Sequence, residues 1–452
     1  MSVRRDARVH IVGIGGAGMS GVARLLLERG ARVSGSDRAD SATLESLRSV
    51  GVEVYVGHDA QHGELADVVL WSPAIGPDNP ELVSAGARGA LMMNRATLFG
   101  ELGVERRVLG LTGTHGKTTA TSMLVQVRRA SGRDDGRLLG ADVPGVGANG
   151  HWGSDDLIVE LDESYGTFAL VAPYALGLLN VEPDHLDHYG SLDALEGAFA
   201  ALLERTRGPV VVWCDDEGAR RVAQRVNRDV LDVATGDAAT WRVTDVAVSR
   251  DASSFTLRGP NVELALTLQV TGAHNVADAA VVAVLALALG SSAEDVTTGL
   301  ARFEGAPRRF QLRGTWDGVD VYESYAHLPG EITAIVQATH AAGYERILAV
   351  FQPHRVTRTL NLVPEFAAAF DGVDTVVVTD IYSAGEENPT GVTGEVIERA
   401  LDARGAGVRH VYCAQLDDVP RELAKLRGDH DVVLLLGAGD VASIAARLVD
   451  AP

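Results

Sequence analysis

Short, nearly continuous apolar blocks alternate along the chain with longer segments in which apolar positions recur at helical spacing. The block "RVHIVGI" (8–14) is followed by a glycine loop and the helix-like "MSGVARLLLERG". "ARVSGSD" then gives a second strand, "ATLESLRSVG" a second helix, and "EVYVG" and "ADVVLWS" further strands. Strand–helix alternation of this kind predicts a parallel, doubly wound sheet. A new strand, "RRVLGLTG", starts at Arg106, and "DLIVELDES", "ALGLLNV" and "PVVVWCDD" follow it. The polar, β-branched stretch 239–271 predicts a small antiparallel patch, and a long Ala/Val/Leu helix follows "GAHN". A third series opens after "GAPRRF" with "GVDVYESY", "RILAVFQPH", "TVVVTDIY", "HVYCAQ" and "DVVLLLGAGD". The expected fold is α/β in three domains. They are an N-terminal Rossmann-like domain (1–106), a central P-loop ATPase-like, mostly parallel domain (107–307) and a C-terminal Rossmann-like domain (308–452).

Composition narrows the partners. A net charge of −21 argues against nucleic acid. No apolar run is long enough for a membrane span. Cys214 and Cys413 match no metal or redox spacing, which fits a cytoplasmic protein. The expected assembly is a monomer or homodimer. Lysine occurs only at Lys117 and Lys425, with arginine supplying the other basic side chains. Lys117 sits inside "GTHGKTT", where a compact ammonium suits the loop better than a planar guanidinium.

The candidate chemistry is concentrated in a few stretches. "GIGGAG" (13–18) carries Gly13, Gly15, Gly16, Ala17 and Gly18, runs on into Met19, and has Asp37 downstream. Such a loop holds a diphosphate on amides and a helix N-terminus. By itself it leaves open a nicotinamide or flavin cofactor, a nucleotide sugar or a structural turn. In the second loop, Gly113, Thr114, His115 and Gly116 curl the backbone. Lys117 can reach β- and γ-phosphates, Thr118 can reach Mg²⁺, and Thr119 continues the helix. "VELDESYGTF" ends a strand in Glu160, Asp162 and Glu163; a metal site and a solvated acidic loop are both open. Strand alternation would turn Glu160 and Asp162 to one side and Glu163 to the other. In "NVEPDHLDHYGS", His185 is a possible metal ligand and His188 equally a surface residue. Asn275 could cap the helix after "GAHN". Arg308, Arg309, Arg355 and Arg358 are clustered cations, suited to phosphates or to surface salt bridges.

Taken in order, "GIGGAGMSG", "SPAIGPDNPEL", "GTHGKTT", "ELDES", "NVEPDHLDHY", "GAHNVADA", "RRF", "YAH", "FQPHRVTRT", "DIYSAGE" and "GAGD" resemble the Mur ligase family, which makes peptidoglycan precursors. The resemblance implies ATP and Mg²⁺ as cofactors and UDP-N-acetylmuramate, L-alanine and ATP as reactants. ATP would phosphorylate the lactyl carboxylate, and the amine of L-alanine would attack the acyl phosphate, leaving ADP and phosphate. The UDP-sugar would lie at Gly13, Gly15–Met19, Asp37 and Ser72. ATP would lie at Gly113–Thr119, Asn275 and Arg309, and metal at Thr118, Glu160 and His185. Lys117, His185, Arg309 and His327 are the expected catalytic set. A ligase that attaches a recycled tripeptide to the same nucleotide sugar shares nearly all these motifs. A non-catalytic nucleotide-binding relic is the remaining alternative. Family members that brace a second metal with a carbamylated lysine differ here, since Lys117 is the only lysine of the central domain. The chain also departs from the family at "ESYAHLPGE" (323–331), where D-D-Y-A/G-H-H-P-T-E is usual. Glu323, Ser324, Leu328 and Gly330 are the differences, and they would alter how the amine is recognised.

Overall fold

In the computed structural model, residues 3–449 are described, apart from 406 and 429. Three sheets form. The first holds β1 (Arg8–Val12), β2 (Arg32–Asp37), β3 (Glu53–Val56), β4 (Val68–Trp71) and β5 (Leu91–Asn94). All its pairings are parallel, in the order β3-β2-β1-β4-β5. Strand order reverses direction between β1 and β4, so a crevice opens beyond their carboxyl ends. "GIGGAG" leaves β1 at that point, and Ser72 follows β4 there. β1 buries four of its five residues, which explains why it reads as a continuous apolar block.

The second sheet contains β6 (Val108–Thr112), β7 (Gly136–Leu138), β8 (Gly150–His151), β9 (Leu157–Leu161), β10 (Ala175–Leu178), β11 (Val210–Trp213) and β12 (Leu231–Ala234). It is completed by β13 (Trp241–Val248), β14 (Ser253–Gly259) and β15 (Val262–Leu268). The order is β15-β14-β13-β12-β11-β10-β6-β9-β7-β8. Residues 239–271, expected to form a small antiparallel patch, supply β13, β14 and β15 at one end of this sheet, with β13 pairing parallel to β12. β6 lies between β9 and β10, parallel to both, so the loops after these three strands emerge side by side.

The helix Lys117–Ala130 follows β6 and is buried from Thr118 to Arg128. Its polar sequence tolerates burial because hydroxyls bond back to the previous turn. Thr121 Oγ1 donates to Lys117 O at 2.7 Å, and Ser122 Oγ to Thr118 O at 2.7 Å. The salt bridge of Arg128 with Asp135 and Asp156 closes the other end.

The third sheet has β16 (Gln311–Trp316), β17 (Val319–Ser324), β18 (Ile347–Phe351), β19 (Thr375–Val378), β20 (Arg409–Tyr412) and β21 (Val432–Leu436). Its order is β16-β17-β21-β18-β19-β20, parallel except for the β16–β17 hairpin. Apolar clusters cover both faces: Tyr322, Ile332, Phe351 and Leu434 on one, Val321, Val350, Leu435 and Ile444 on the other. The chain divides into two compact units. One holds the first two sheets almost entirely, and the other holds the third sheet with 246–254 and 268–276.

Candidate functional site

In the first sheet the glycine loop is braced from below. Gly15 N donates to Asp37 Oδ2 at 2.9 Å, so one oxygen of Asp37 shapes the loop. Gly13 adopts φ +77°, and a Cβ there would sit 3.1 Å from Ser72 Cβ. Glycine at 13 thus serves both the left-handed turn and close packing. Gly16 precedes the helix Ala17–Glu28, which has no acidic residue in its first turn. The Met19 side chain is buried in the core. Its N–H bonds Gly16 O at 3.0 Å.

The loop after β6 is moulded by Asn180, the second residue beyond β10. Its Oδ1 accepts from His115 N at 2.9 Å, its Nδ2 donates to His115 O at 3.1 Å, and its carbonyl accepts from Thr114 N at 3.2 Å. Thr114 Oγ1 accepts from Glu182 N at 2.8 Å. Gly113 (φ +149°) lies against this asparagine, with a Cβ position 3.0 Å from Asn180 N. Gly116 (φ +80°) precedes the helix and faces the carboxylate of Asp278, which a Cβ at 116 would approach to 2.7 Å.

Lys117 is largely enclosed, with its ammonium at the focus of three acceptors: Gly113 O at 2.7 Å, Thr114 O at 3.0 Å and Glu163 Oε2 at 2.7 Å. Asp162 Oδ1 lies 3.8 Å away. Burial pulls the Lys117 pKa down, but the charges of Glu163, Asp162 and Glu160 outweigh it and hold it above the usual lysine value. Burial would also raise Asp162, yet Lys117 and Arg95 keep it well below the carboxylate range. Glu163 is pushed up to about 8 by burial, with Asp162 and Asp184 adding to the effect and Lys117 opposing it. One ammonium is therefore shared unevenly among several acids. Asp162 stays ionised and Glu163 is the one kept nearest to neutrality.

The expected alternation after β9 fails at Glu163. The strand stops at Leu161, and Glu163 turns into helical backbone (φ −73°, ψ −22°). Asp162 and Glu163 consequently both approach Lys117. Glu160 remains apart and accepts from Gly140 N at 2.8 Å. A Cβ on Gly140 would lie 2.9 Å from Thr118 Oγ1 and 3.0 and 3.1 Å from the two Glu160 oxygens. Thr118 and Glu160 thus flank a space that only glycine at 140 leaves open. A second donor group, Glu163, Asp184 and His185, has one ligand atom from each residue within 4.8 Å of the others. His185 is at φ +52°, and its Nε2 lies 3.4 Å from Asp184 Oδ2. His188 is exposed and packs edge-on against Tyr165 and Tyr189. Gly140, Asp184, Asn180 and Asp278 were not found from sequence. Asp184 was within reach there, since it immediately precedes His185 in a run of acids and histidines.

Asn275 does not cap its helix. It lies inside the first turn of Ala273–Ala288, whose first amide bonds return to Gly272 O, and its Nδ2 donates to Thr271 O at 2.8 Å.

In the unit of the third sheet, candidate side chains gather beyond the carboxyl ends of β17, β18 and β21. Arg308 and Arg309 each lie with their guanidinium 5.0 Å from the ring centre of Tyr325. Arg309 Nη1 is 3.3 Å from Glu331 Oε1. His327 Nδ1 is 2.9 Å from Tyr325 O, and the His327 ring meets that of His354 at 5.6 Å. Arg358 Nη1 reaches His354 O at 3.2 Å, and Arg355 Nη1 lies 3.6 Å from Glu386 Oε1. Glu323 was expected to face a ligand. It is buried, with Oε1 2.6 Å from Arg308 Nε and Oε2 3.4 Å from Arg313 Nη1, the first contact being close but poorly aligned for a hydrogen bond. Ser324 and Leu328 are buried too, so these departures from the family pattern point into the fold.

Three family models match consecutive stretches: the Mur ligase family catalytic domain over residues 8–107, the Mur ligase middle domain over 153–286, and the Mur ligase glutamate ligase domain over 308–439. The UDP-N-acetylmuramate–L-alanine ligase of Thermobifida fusca is 42% identical over 100% of this chain and 98% of its own length. That of Rhizobium etli is 37% identical over 97% and 96%. Among solved structures, the UDP-N-acetylmuramate-alanine ligase of Thermotoga maritima superposes with a TM-score of 0.81 at 28% identity, covering 98% of both chains. A murein peptide ligase from Psychrobacter arcticus shares the fold at TM-score 0.73 and 22% identity, again over 98% of both chains. With a glycine–lysine loop after the central strand, carboxylates at the ends of its neighbours and full-length relatives of this similarity, the chain belongs to the Mur ligase family.

Proposed function

We propose that this protein is an ATP-dependent ligase that joins L-alanine to the lactyl carboxylate of UDP-N-acetylmuramate, releasing ADP and phosphate. The observation that carries the reading is the loop Gly113–Thr119, with Lys117 at the meeting point of three acceptors beside two carboxylate groups. A terminal phosphate entering this loop would replace the loop carbonyls and Glu163 as partner of the ammonium. The near-full-length alanine ligases among the relatives support the choice of substrates.

In this reading the amides of Gly113–Thr119 and Lys117 hold the terminal phosphates of ATP, with Asn275 and Arg309 as further nucleotide contacts. The glycine loop at 13–18, with Met19, Asp37 and Ser72 around it, receives the UDP portion. The donor sets fit Mg²⁺, which takes hard oxygen ligands and shares them with substrate phosphates. Thr118 and Glu160 would hold one ion in the space kept by Gly140. His185, with Asp184 and Glu163, would hold a second. Bound Mg²⁺ would neutralise phosphate charge as phosphoryl transfer proceeds. Lys117, His185, Arg309 and His327 would form the catalytic set.

The deciding assay supplies ATP, UDP-N-acetylmuramate and either L-alanine or L-Ala-γ-D-Glu-meso-diaminopimelate. ADP and phosphate should appear with L-alanine. AMP and pyrophosphate would refute the mechanism, and turnover with the tripeptide alone would reassign the amine.

Gly140→Ala provides a test of the first metal position. The backbone at 140 is not left-handed, so alanine is conformationally permitted, but its methyl would sit between Thr118 and Glu160. The Mg²⁺ concentration for half-maximal ADP formation should rise about tenfold, the scale of losing one good ligand contact. An unchanged magnesium titration would remove this space from the metal site.

A further inference from the structure

Arg95 opens the helix Arg95–Glu105 immediately after β5, and its side chain reaches from the glycine loop to Asp162, the carboxylate beside Lys117. On one side its guanidinium lies on the first turn of the helix Ala17–Glu28, so close that a Cβ on Gly18 would collide with Nη1. On the other side Nη2 donates to Asp162 Oδ2 at 3.1 Å, and Asp162 stands 3.8 Å from the Lys117 ammonium. The side chain is largely buried. Its Nε is wholly buried and finds no hydrogen-bond partner among the described residues.

This placement runs against ordinary helix electrostatics. The N-terminus of a helix carries partial positive charge and favours anions. Here no acidic residue occupies the first turn, and a guanidinium is pressed against it instead. Two positive features converge where nothing but Asp162 offsets them within the contacts of Arg95. Such an arrangement suits a doubly charged ligand that meets both the helix N-terminus and the guanidinium beside it, because Arg can present parallel donors to phosphate oxygens.

We propose that Arg95 is an exchange residue: Asp162 is its counter-ion while the glycine loop is free, and the diphosphate of the nucleotide sugar takes it over on binding. The inference rests on the glycine loop being the diphosphate site. Asp162 competes with the diphosphate for one guanidinium. When the diphosphate wins, the carboxylate beside Lys117 loses its neutralising partner, so occupancy of the first loop changes the charge at the second. By linkage the same interaction lets the second loop influence the first.

The test is a double-variant cycle read by calorimetric titration of UDP into the full-length protein. Arg95→Ala should weaken UDP binding roughly tenfold or more, the effect of losing a charge-assisted hydrogen bond. Asp162→Asn should tighten UDP binding several-fold, because the competing charge is gone. In Arg95→Ala/Asp162→Asn that gain should vanish. A clasp that merely joined the two sheets would predict the opposite, since breaking it from the Asp162 side would weaken binding or leave it unchanged. Weaker or unchanged UDP binding in Asp162→Asn overturns the proposal, as does a gain that persists without Arg95. Arg95→Lys, which keeps the charge without the fork, replaces Arg95→Ala should the latter not fold; it should retain part of the affinity, and full affinity would count against the exchange. If the unaltered protein binds no UDP at all, the diphosphate reading of the loop fails instead.

Discussion

Lys117→Arg is expected to abolish turnover almost as completely as Lys117→Ala, with kcat/KM for ATP falling about 10²–10³-fold in both, the usual cost of removing a preorganised charge at a transferring group. The structure shows why retaining the charge is not enough. The Nζ atom sits where Gly113 O, Thr114 O and Glu163 Oε2 converge, at 2.7, 3.0 and 2.7 Å. Three acceptors around one point match the tetrahedral donors of an ammonium. A guanidinium spreads its donors over a plane and needs acceptors along its edges. The composition leads to the same expectation, because a chain that otherwise uses arginine almost exclusively keeps lysine here. Steady-state ADP release, with nucleotide binding measured separately, checks the effect. Arginine supporting even a tenth of normal turnover would mean that charge alone suffices and that the convergence of acceptors is incidental.

The same lysine illustrates what the sequence made legible. A strand, a glycine turn, a lysine and hydroxyls entering a helix are local features, and their order along the chain is enough to read them. So are the apolar blocks of β1, β6, β10, β18 and β21, which are buried on both faces and carry an uninterrupted pattern. Short strands gave no such signal. β7 and β8 span three and two residues and alternate too briefly to register. The acidic residues at the end of β9 were legible in residue type but not in direction. Alternation placed Glu163 opposite Asp162, and the chain left the strand one residue before the rule was needed. Gly140, Asn180 and Arg95 were invisible for a different reason. Each acts through a partner more than a dozen positions away, and nothing in its immediate neighbours distinguishes it from an ordinary loop or helix residue.

Restoring the family pattern at 323–331 is expected to damage the protein rather than improve its handling of L-alanine. Read along the sequence, Ser324 and Leu328 looked like changes to an amine-facing surface, with Ser324→Asp and Leu328→His as the repair. Both side chains are instead enclosed, at 3% and 1% exposure. Ser324 ends β17, where its Oγ accepts from Ala326 N at 3.3 Å and its carbonyl accepts from Gly437 N at 3.0 Å. By strand alternation it shares a face with Tyr322, which packs in the apolar cluster with Ile332, Phe351 and Leu434. The neighbouring Glu323 has already drawn Arg308 and Arg313 to the opposite face. A carboxylate at 324 would therefore be buried away from those cations, a class of change that costs several kcal/mol unless the group takes up a proton. Leu328 precedes the helix Pro329–Ala341, where Glu331 Oε2 already accepts from the N–H groups of His327 and Leu328 at 2.8 and 3.2 Å. An imidazole there would exchange buried branched carbon for ring nitrogens that need partners, at about 2–4 kcal/mol. Each variant should lower the thermal midpoint of the protein by several degrees, and the pair by more. The relative kcat/KM for L-alanine, glycine and L-serine should stay as it was, because both side chains are enclosed within the fold. Unaltered melting together with a rise in kcat/KM for L-alanine alone would show that these positions do reach the amine, and that the third sheet rearranges around them when substrates bind.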